Sequence, residues 1–275
     1  DMALDRGVDL MFEASVAGGI PIIRSLRNGL VANRVESLHG ILNGTTNYIL
    51  TRMTRGEGDY AEILADAQAE GYAEPDPTAD VSGADAASKL AILSRIAFHT
   101  TGTAADIYCE GIEQIESSDI DFARELGYTI KLLATARLVA GGVEARVHPV
   151  MLRHDSQLAN IHAEQNAIEV MGSAVGTQVF TGAGAGKMPT ASAVVSDLVE
   201  LAERKRSGAS TSIGDMIVGD EAASFAPMEG AELRYFLRMQ VTDQPGVLAQ
   251  VSRILAEQQI SIASVLQKER SLQGD

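Results

Sequence analysis

The sequence has one cysteine, no tryptophan and only 4% aromatic residues. A lone Cys109 cannot close an intramolecular disulfide, so a disulfide-stapled secreted scaffold is excluded. Positive charge is also scarce, with 22 Lys+Arg against 37 Asp+Glu and a formal net charge of −15. Nucleic acids and anionic membranes are bound through clustered Lys and Arg, so neither is an expected partner. No apolar run approaches the ~20 residues of a membrane span. Ile130 to Val143 comes nearest and is cut by Lys131 and Arg137. Asp1 to Arg6 is neither a signal nor a transit peptide. It reads as the end of a helix running into a strand at Val8 to Phe12, which raises the expectation of a segment upstream. What is present is 275 residues, 45% of them hydrophobic. That is enough for one or two domains at ~150 residues each, with a core that needs no staples.

Periodicity and turn chemistry divide the chain. Pro21 opens a helix over Ile22 to Leu30. Val35 to Leu42 is strand-like, and a threonine of Asn43-Gly44-Thr45-Thr46 is expected to cap a helix over Asn47 to Arg55. A second helix, Tyr60 to Glu70, closes on Gly71. Tyr72 to Gly83 is a loop rich in Pro and Asp, followed by a helix over Ala84 to His99. Two β-hairpins follow: Tyr128–Val139 with Val143–Leu152 around Ala140-Gly141-Gly142, and Ala167–Met171 with Gln178–Phe180. A helix over Thr190 to Arg204 leads into a Ser/Gly/Ala-rich linker. Leu233–Val241, Pro245–Gln258 and Ile260–Leu266 then read as strand, helix, strand. The expected domains are 1–205, a linker 206–232, and 233–275.

Four carboxylates crowd the loop: Glu74, Asp76, Asp80 and Asp85. Such a cluster needs a cation to face, whether a metal, a substrate ammonium or a lysine. Lys89 lies four residues after Asp85, on the same helical face. A lysine held by a carboxylate can protonate or polarise a carbonyl oxygen while neighbouring acids bind an amine. An acidic surface loop with an ordinary ion pair is the plainer alternative. Calcium is disfavoured because the EF-hand spacing and its central glycine are missing.

Two glycine-rich stretches are less specific. Glu13 to Ile20 sets one carboxylate beside a kinked backbone. That arrangement suits either a hard monovalent cation or a turn whose amides Glu13 caps. Gly182-Ala183-Gly184-Ala185-Gly186-Lys187 precedes a helix, where free amides favour an anion. It is neither a Walker loop nor G-x-G-x-x-G, and no dinucleotide fingerprint follows a strand anywhere in the chain. His39, His99, His148, His154 and His162 lack metal spacing. The methionines are scattered as core residues.

The loop from Gly71-Tyr72-Ala73-Glu74-Pro75-Asp76-Pro77-Thr78-Ala79-Asp80 through Gly83-Ala84-Asp85-Ala86-Ala87-Ser88-Lys89 resembles the signature of the homoserine dehydrogenase family. Phe12-Glu13-Ala14-Ser15-Val16-Ala17-Gly18-Gly19-Ile20-Pro21, Leu42-Asn43-Gly44-Thr45-Thr46-Asn47 and Gly184-Ala185-Gly186-Lys187-Met188-Pro189 are similar to its other conserved stretches, in the same order. The resemblance implies reversible NAD(P)H-dependent reduction of L-aspartate 4-semialdehyde to L-homoserine by a cytoplasmic enzyme. It implies Lys89 as proton donor and Asp85 as its partner. Glu74, Asp80, Tyr72, Gly71 and Thr45 would bind substrate, and Gly186 and Gly184 the cofactor. A structural sodium ion would be held by Glu13 and the backbone of Val16, Gly18 and Ile20. The family's nucleotide domain lies upstream of Phe12, so this chain alone is not expected to turn over.

Asp243-Gln244-Pro245-Gly246-Val247-Leu248 resembles the start of an ACT domain, a βαββαβ regulatory module, with Asp243 placed to cap its helix. Threonine is the effector that resemblance implies. The expected fold is therefore α+β: a mixed β-sheet with helices on one face, followed by a partial ACT-like βαβ module. The expected assembly is a homodimer or homotetramer. Two competing readings are a stand-alone amino-acid-binding regulatory protein and a purely structural dimerisation piece.

Overall fold

Alternation builds the centre of the molecule. In β3 (Tyr128–Val139) the residues Ile130, Leu132, Ala134 and Ala136 are all buried and share one face. They pair antiparallel with β4 (Gly142–Arg153), from Tyr128↔Arg153 to Val139↔Gly142. The two-residue connection is Ala140-Gly141, and Gly141 has φ 94, a left-handed value that favours glycine. A second antiparallel hairpin joins β5 (Gln165–Gly172) to β6 (Gly176–Ala183). β1 (Val35–Ile41) lies between the hairpins, antiparallel to both β3 and β5. The short β2 (Tyr108–Cys109) adds a parallel edge on β4. The sheet is thus mixed, with order β2-β4-β3-β1-β5-β6. The structure, a computed structural model, describes residues 6–208, 223–228, 231–242 and 244–267.

The helices are α1 (Ile22–Arg24), which continues as a π turn over Ser25–Gly29, α2 (Gly44–Thr54), α3 (Tyr60–Glu70), α4 (Thr78–Val81), α5 (Ala84–Phe98), α6 (Ser117–Glu125) and α7 (Lys187–Ser207). They pack on one face of the sheet through α2, α5 and α6, and the others surround these. Leu90 and Leu93 of α5 and Ile120 and Ala123 of α6 join the core formed by Leu38, Leu132, Ala134, Val147 and Val170. The opposite face is split. Ile41, Leu133 and Ala167 pack under Leu158 and Ile161, while His39, Thr135, Arg137, Glu144, Arg146 and Glu169 make the rest polar. No helix among the described residues is long and apolar enough to cross a membrane.

Several expectations are corrected. Val8 to Phe12 is not a strand; it makes no ladder among the described residues, and Val8 and Leu10 are exposed. The acidic loop contains a turn of helix, α4. α6 lies where periodicity marks no element. It opens on a Glu116–Asp119 capping box, an acidic start rather than the usual Ser or Thr.

The chain divides into two compact units, Asp1–Ala231 and Glu232–Asp275. Ala223 and Phe225 bridge to Thr100 and Val143, inside the first unit. In the second unit the helix is α8 (Val247–Glu257). Gln244-Pro245-Gly246-Val247 forms the turn before it, with Gly246 at φ 94 and the Val247 amide donating to the Gln244 carbonyl at 3.3 Å. Asp243, expected to cap this helix, falls outside the described residues. The strands expected at Leu233–Val241 and Ile260–Leu266 form no ladder among the described residues. In a split βαβ unit the two strands are not neighbours, so neither offers the other a hydrogen-bonding partner.

Lys131 points from β3 toward Leu158–Ile161 and is 1% exposed. Its Nζ donates to Asn47 Oδ1 at 2.8 Å and to the Ile161 carbonyl at 2.5 Å. Burial, with a smaller contribution from Arg55, pushes this ammonium down to about 8. The unfolded chain, with a lysine pKa of ~10.4, then holds this proton where the folded chain has lost it, so Lys131 favours folding more as pH rises from about 8 to about 10. Relative to Lys131→Met, the parent should gain roughly 2 to 3 kcal/mol between pH 7 and 10. Urea unfolding at the two pH values checks this, and a pH-independent difference would contradict it.

Candidate active site

The turn after β1 organises the acidic loop. Asn43 has extended backbone (φ −126, ψ 116), and its side-chain oxygen accepts the Thr46 amide at 2.9 Å, making Asn43 the N-cap of α2. This corrects the expectation that a threonine caps this helix and that the helix starts at Asn47. Thr45 instead sends its hydroxyl to the Tyr72 carbonyl at 3.0 Å. Gly44 is held close to the β5 entry, since a Cβ there would stand 2.7 Å from the Glu164 carbonyl oxygen.

Three chain segments converge on this turn. Lys89 and Asp85 are one turn apart on α5, and Lys89 Nζ donates to Asp85 Oδ2 at 2.6 Å. The same Nζ donates to the Leu42 carbonyl at 3.0 Å. Asn43 Nδ2 donates to Asp80 Oδ1 at 2.7 Å and to Asp85 Oδ2 at 2.9 Å. Lys89 and Asp85 keep 21% and 29% side-chain exposure, so the pair is reachable from solvent. Two carboxylates against one ammonium leave the cluster one negative charge in excess, which favours a cationic ligand. The Tyr72 ring stacks on Tyr48, with centroids 4.8 Å apart. A crevice of about 340 Å³ lies farther along α2, lined by Tyr48, Thr51, Arg52, Arg55, Glu57, Glu70 and Ala163, and contains none of the loop's four acids.

Glu13 sits in a separate buried junction, 5% exposed. Its carboxylate oxygens accept the amides of Ile23 at 2.8 Å and Arg24 at 2.9 Å, capping α1. Its own amide donates to Asp197 of α7 at 3.0 Å. Burial raises the Glu13 pKa, and the Arg24 and Ile23 amides pull it back. The Gly18 turn packs directly on the second glycine stretch. The Gly19 amide donates to the Ala183 carbonyl at 2.9 Å, and a Cβ on Gly18 would lie 2.5 Å from the Gly184 carbonyl oxygen. Gly186 has φ 116 and caps the start of α7.

The chain is similar to known proteins. A family model for homoserine dehydrogenase matches residues 21–199, and one for the ACT domain matches residues 235–274. The chain belongs to the homoserine dehydrogenase family. The homoserine dehydrogenase of Pseudomonas aeruginosa is 47% identical over 270 residues, covering 97% of this chain and 62% of that protein. That of Helicobacter pylori is 45% identical, again over 62% of its length. Among solved structures, a homoserine dehydrogenase from Thiobacillus denitrificans aligns with a TM-score of 0.88 at 44% identity, covering 97% of this chain and 62% of that one. A hyperthermophilic archaeal homoserine dehydrogenase in complex with NADPH aligns over 74% of this chain and 58% of its own, with a TM-score of 0.63 at 25% identity. The chain therefore spans about three fifths of the length of the curated relatives it matches.

The residues expected at the site from the sequence divide into two groups. Lys89, Asp85 and Asp80 are brought together, with Thr45 and Tyr72 beside them. Glu74 is exposed, and its carboxylate makes no hydrogen bond among the described residues. Gly71 ends α3 in a left-handed conformation, φ 81, which swings Tyr72 toward Thr45. Asp76 is occupied locally: it accepts the Thr78 amide at 3.1 Å, and its Thr78 bonds hold its pKa below the usual carboxylate value. Leu42 and Asn43 are site residues that the motif reading passes over. Asn43 has a legible signal, since Asn is as good an N-cap as Ser.

Removing Glu13 should loosen the junction, because one buried and one part-buried amide lose a charged acceptor. Glu13→Ala is expected to cost about 2 to 3 kcal/mol, read from urea unfolding. A loss within the scatter of a surface substitution would contradict the assigned role.

Proposed function

We propose that this chain is the substrate-binding and dimerisation part of a homoserine dehydrogenase, acting between L-aspartate 4-semialdehyde and L-homoserine. The observation that carries the reading is the Lys89 ammonium, fixed by Asp85 Oδ2 and the Leu42 carbonyl beside a second carboxylate, Asp80. A small amino acid brings its own ammonium, and Asp80 and Glu74 are the groups to receive it. Reduction turns the aldehyde oxygen into an alkoxide, which needs a cation and a proton at hand. Lys89 Nζ supplies both, and Asp85 holds it in place. In the reverse direction Lys89 takes the hydroxyl proton back. Tyr72 and Thr45 close the side of the site, with Gly71 setting the turn.

NAD(P)H supplies the hydride when bound, and Gly186 and Gly184 are the contacts proposed for it. Gly186 fits that role, since it is exposed and opens a helix whose first amides are free. The smallness of Gly184 is already used in packing, because a Cβ there would collide with the Asn166 side chain. A structural sodium ion fits Glu13 and the carbonyls of Val16, Gly18 and Ile20. Val16 and Gly18 are buried, and no donor among the described residues reaches their carbonyl oxygens. Glu13 keeps a lone pair on each oxygen after accepting its amide.

The assembly reading is a homodimer or homotetramer in the cytoplasm, with the half-buried polar face of the sheet available to a second copy. The domain reading is 1–205, a linker 206–232 and an ACT segment 233–275, with threonine as effector. Met188, Val195, Leu198 and Val199 form an exposed apolar row on α7, which suits a helix covered by a nucleotide domain. The ACT match at residues 235–274 favours a second reading, an amino-acid-binding regulatory protein. It leaves the Lys89–Asp85 pair without a task.

Calorimetry with L-homoserine tests the proposal. The chain should bind it, and Asp80→Asn should weaken binding by about 10-fold or more, the loss of one charge-assisted contact. No binding at millimolar ligand would overturn it. Sodium should raise the melting temperature of the parent more than potassium does, and that preference should vanish in Glu13→Gln. Equal stabilisation by the two salts would remove the ion from the account.

A further inference from the structure

We infer that Asn43 is a positioning residue of the substrate site: its side-chain amide is the neutral donor that sets Asp80 and Asp85 side by side with defined oxygens free. This rests on the function proposed above. The amide nitrogen has two hydrogens, and the geometry gives one to each acid, at 2.7 Å to Asp80 Oδ1 and 2.9 Å to Asp85 Oδ2. An amide nitrogen only donates, and an ionised carboxylate only accepts. Asp80 Oδ1 and Asp85 Oδ2 are therefore the inward oxygens. Asp80 Oδ2 and Asp85 Oδ1 accept no hydrogen bond among the described residues, which leaves them for the ammonium or hydroxyl of an amino-acid ligand.

The clamp cannot drift. Asn43 is 5% exposed, so water does not stand in for its partners. Its oxygen is spent on the Thr46 amide, which fixes which end of the amide faces the acids. Behind it, Gly44 is pressed against the Glu164 carbonyl, and Leu42 offers its own carbonyl to Lys89. Both ends of the Asn43 side-chain amide thus have assigned partners. Asn43 acts through Asp80 and Asp85 rather than by touching the substrate.

The two tasks of this side chain can be separated. Asp, Ser and Asn are nearly equal N-caps, and Gly is only slightly worse. A residue that merely capped α2 would tolerate all of them. A residue that must donate to two carboxylates would not. Ser keeps a hydroxyl donor, Gly has none, and Asp adds a third carboxylate to the pair.

The test is calorimetric titration of L-homoserine into the chain and its Asn43→Ser, Asn43→Gly and Asn43→Asp variants, with thermal melting of each. The expected order of affinity is parent, then Ser, then Gly, then Asp. Ser should stay within about 10-fold of the parent, Gly should lose roughly 10- to 100-fold through the missing charge-assisted bonds, and Asp should show no measurable binding. Gly carries the test if Asp fails to fold. Binding by the Gly and Asp variants as tight as by Ser would overturn the inference while the proposed function stood. Failure of the parent to bind would overturn both.

Discussion

Asp80 and Asp85 carry like charges on successive helices; one neutral amide bridges them, and one ammonium binds Asp85. Asn43 Nδ2 and Lys89 Nζ both donate to Asp85 Oδ2, so a single oxygen is the meeting point of β1's end and α5. Without those donors the acids would repel each other, and the loop carrying Asp80 would have no reason to return to α5. The turn Leu42–Thr45 provides three of the contacts: a carbonyl for Lys89, an amide for the acids and a hydroxyl for Tyr72. It is placed by the sheet itself, because β1 is hydrogen-bonded on both sides, to β3 and β5. The chemistry proposed for the chain follows from that placement. A charged lysine, held beside acids that favour an ammonium, suits an amino-acid aldehyde.

A second constraint joins the ends of the first unit. The turn around Gly18 and the strand end at Gly184 touch backbone to backbone, and Glu13 ties α1 to α7 through Asp197. Arg24 extends the tie to Glu200 at 2.9 Å. The residues proposed for the ion and those proposed for the cofactor are therefore neighbours.

The sequence makes some of this legible and hides the rest for identifiable reasons. The hairpins read correctly because β-rich apolar runs flanking glycine turns are local signals, as in Tyr128–Arg153. The Lys89–Asp85 ion pair was legible because four residues is one helical turn. Asp80 reaching the same cluster depends on a turn of helix inside the Pro/Asp loop, which loop composition conceals. Asn43 was hidden by two neighbouring threonines, since which residue caps α2 depends on where β1 ends. Val8–Phe12 and the segments flanking α8 are apolar enough for strands. A strand needs a partner, and sequence pattern does not supply one. Lys131 reads as an interruption of an apolar run, yet it is buried, because Asn47 and the Ile161 carbonyl meet it.

The central claim is that Lys89 is the proton donor of this site. Its most direct test is turnover of semialdehyde by the enzyme in which this chain is joined to a nucleotide-binding domain, comparing the parent with Lys89→Met. The account predicts that kcat falls by roughly 10²- to 10⁴-fold, the worth of a positioned general acid, with the fold and cofactor affinity retained. A Lys89→Met enzyme that turns over at the parent rate would contradict it.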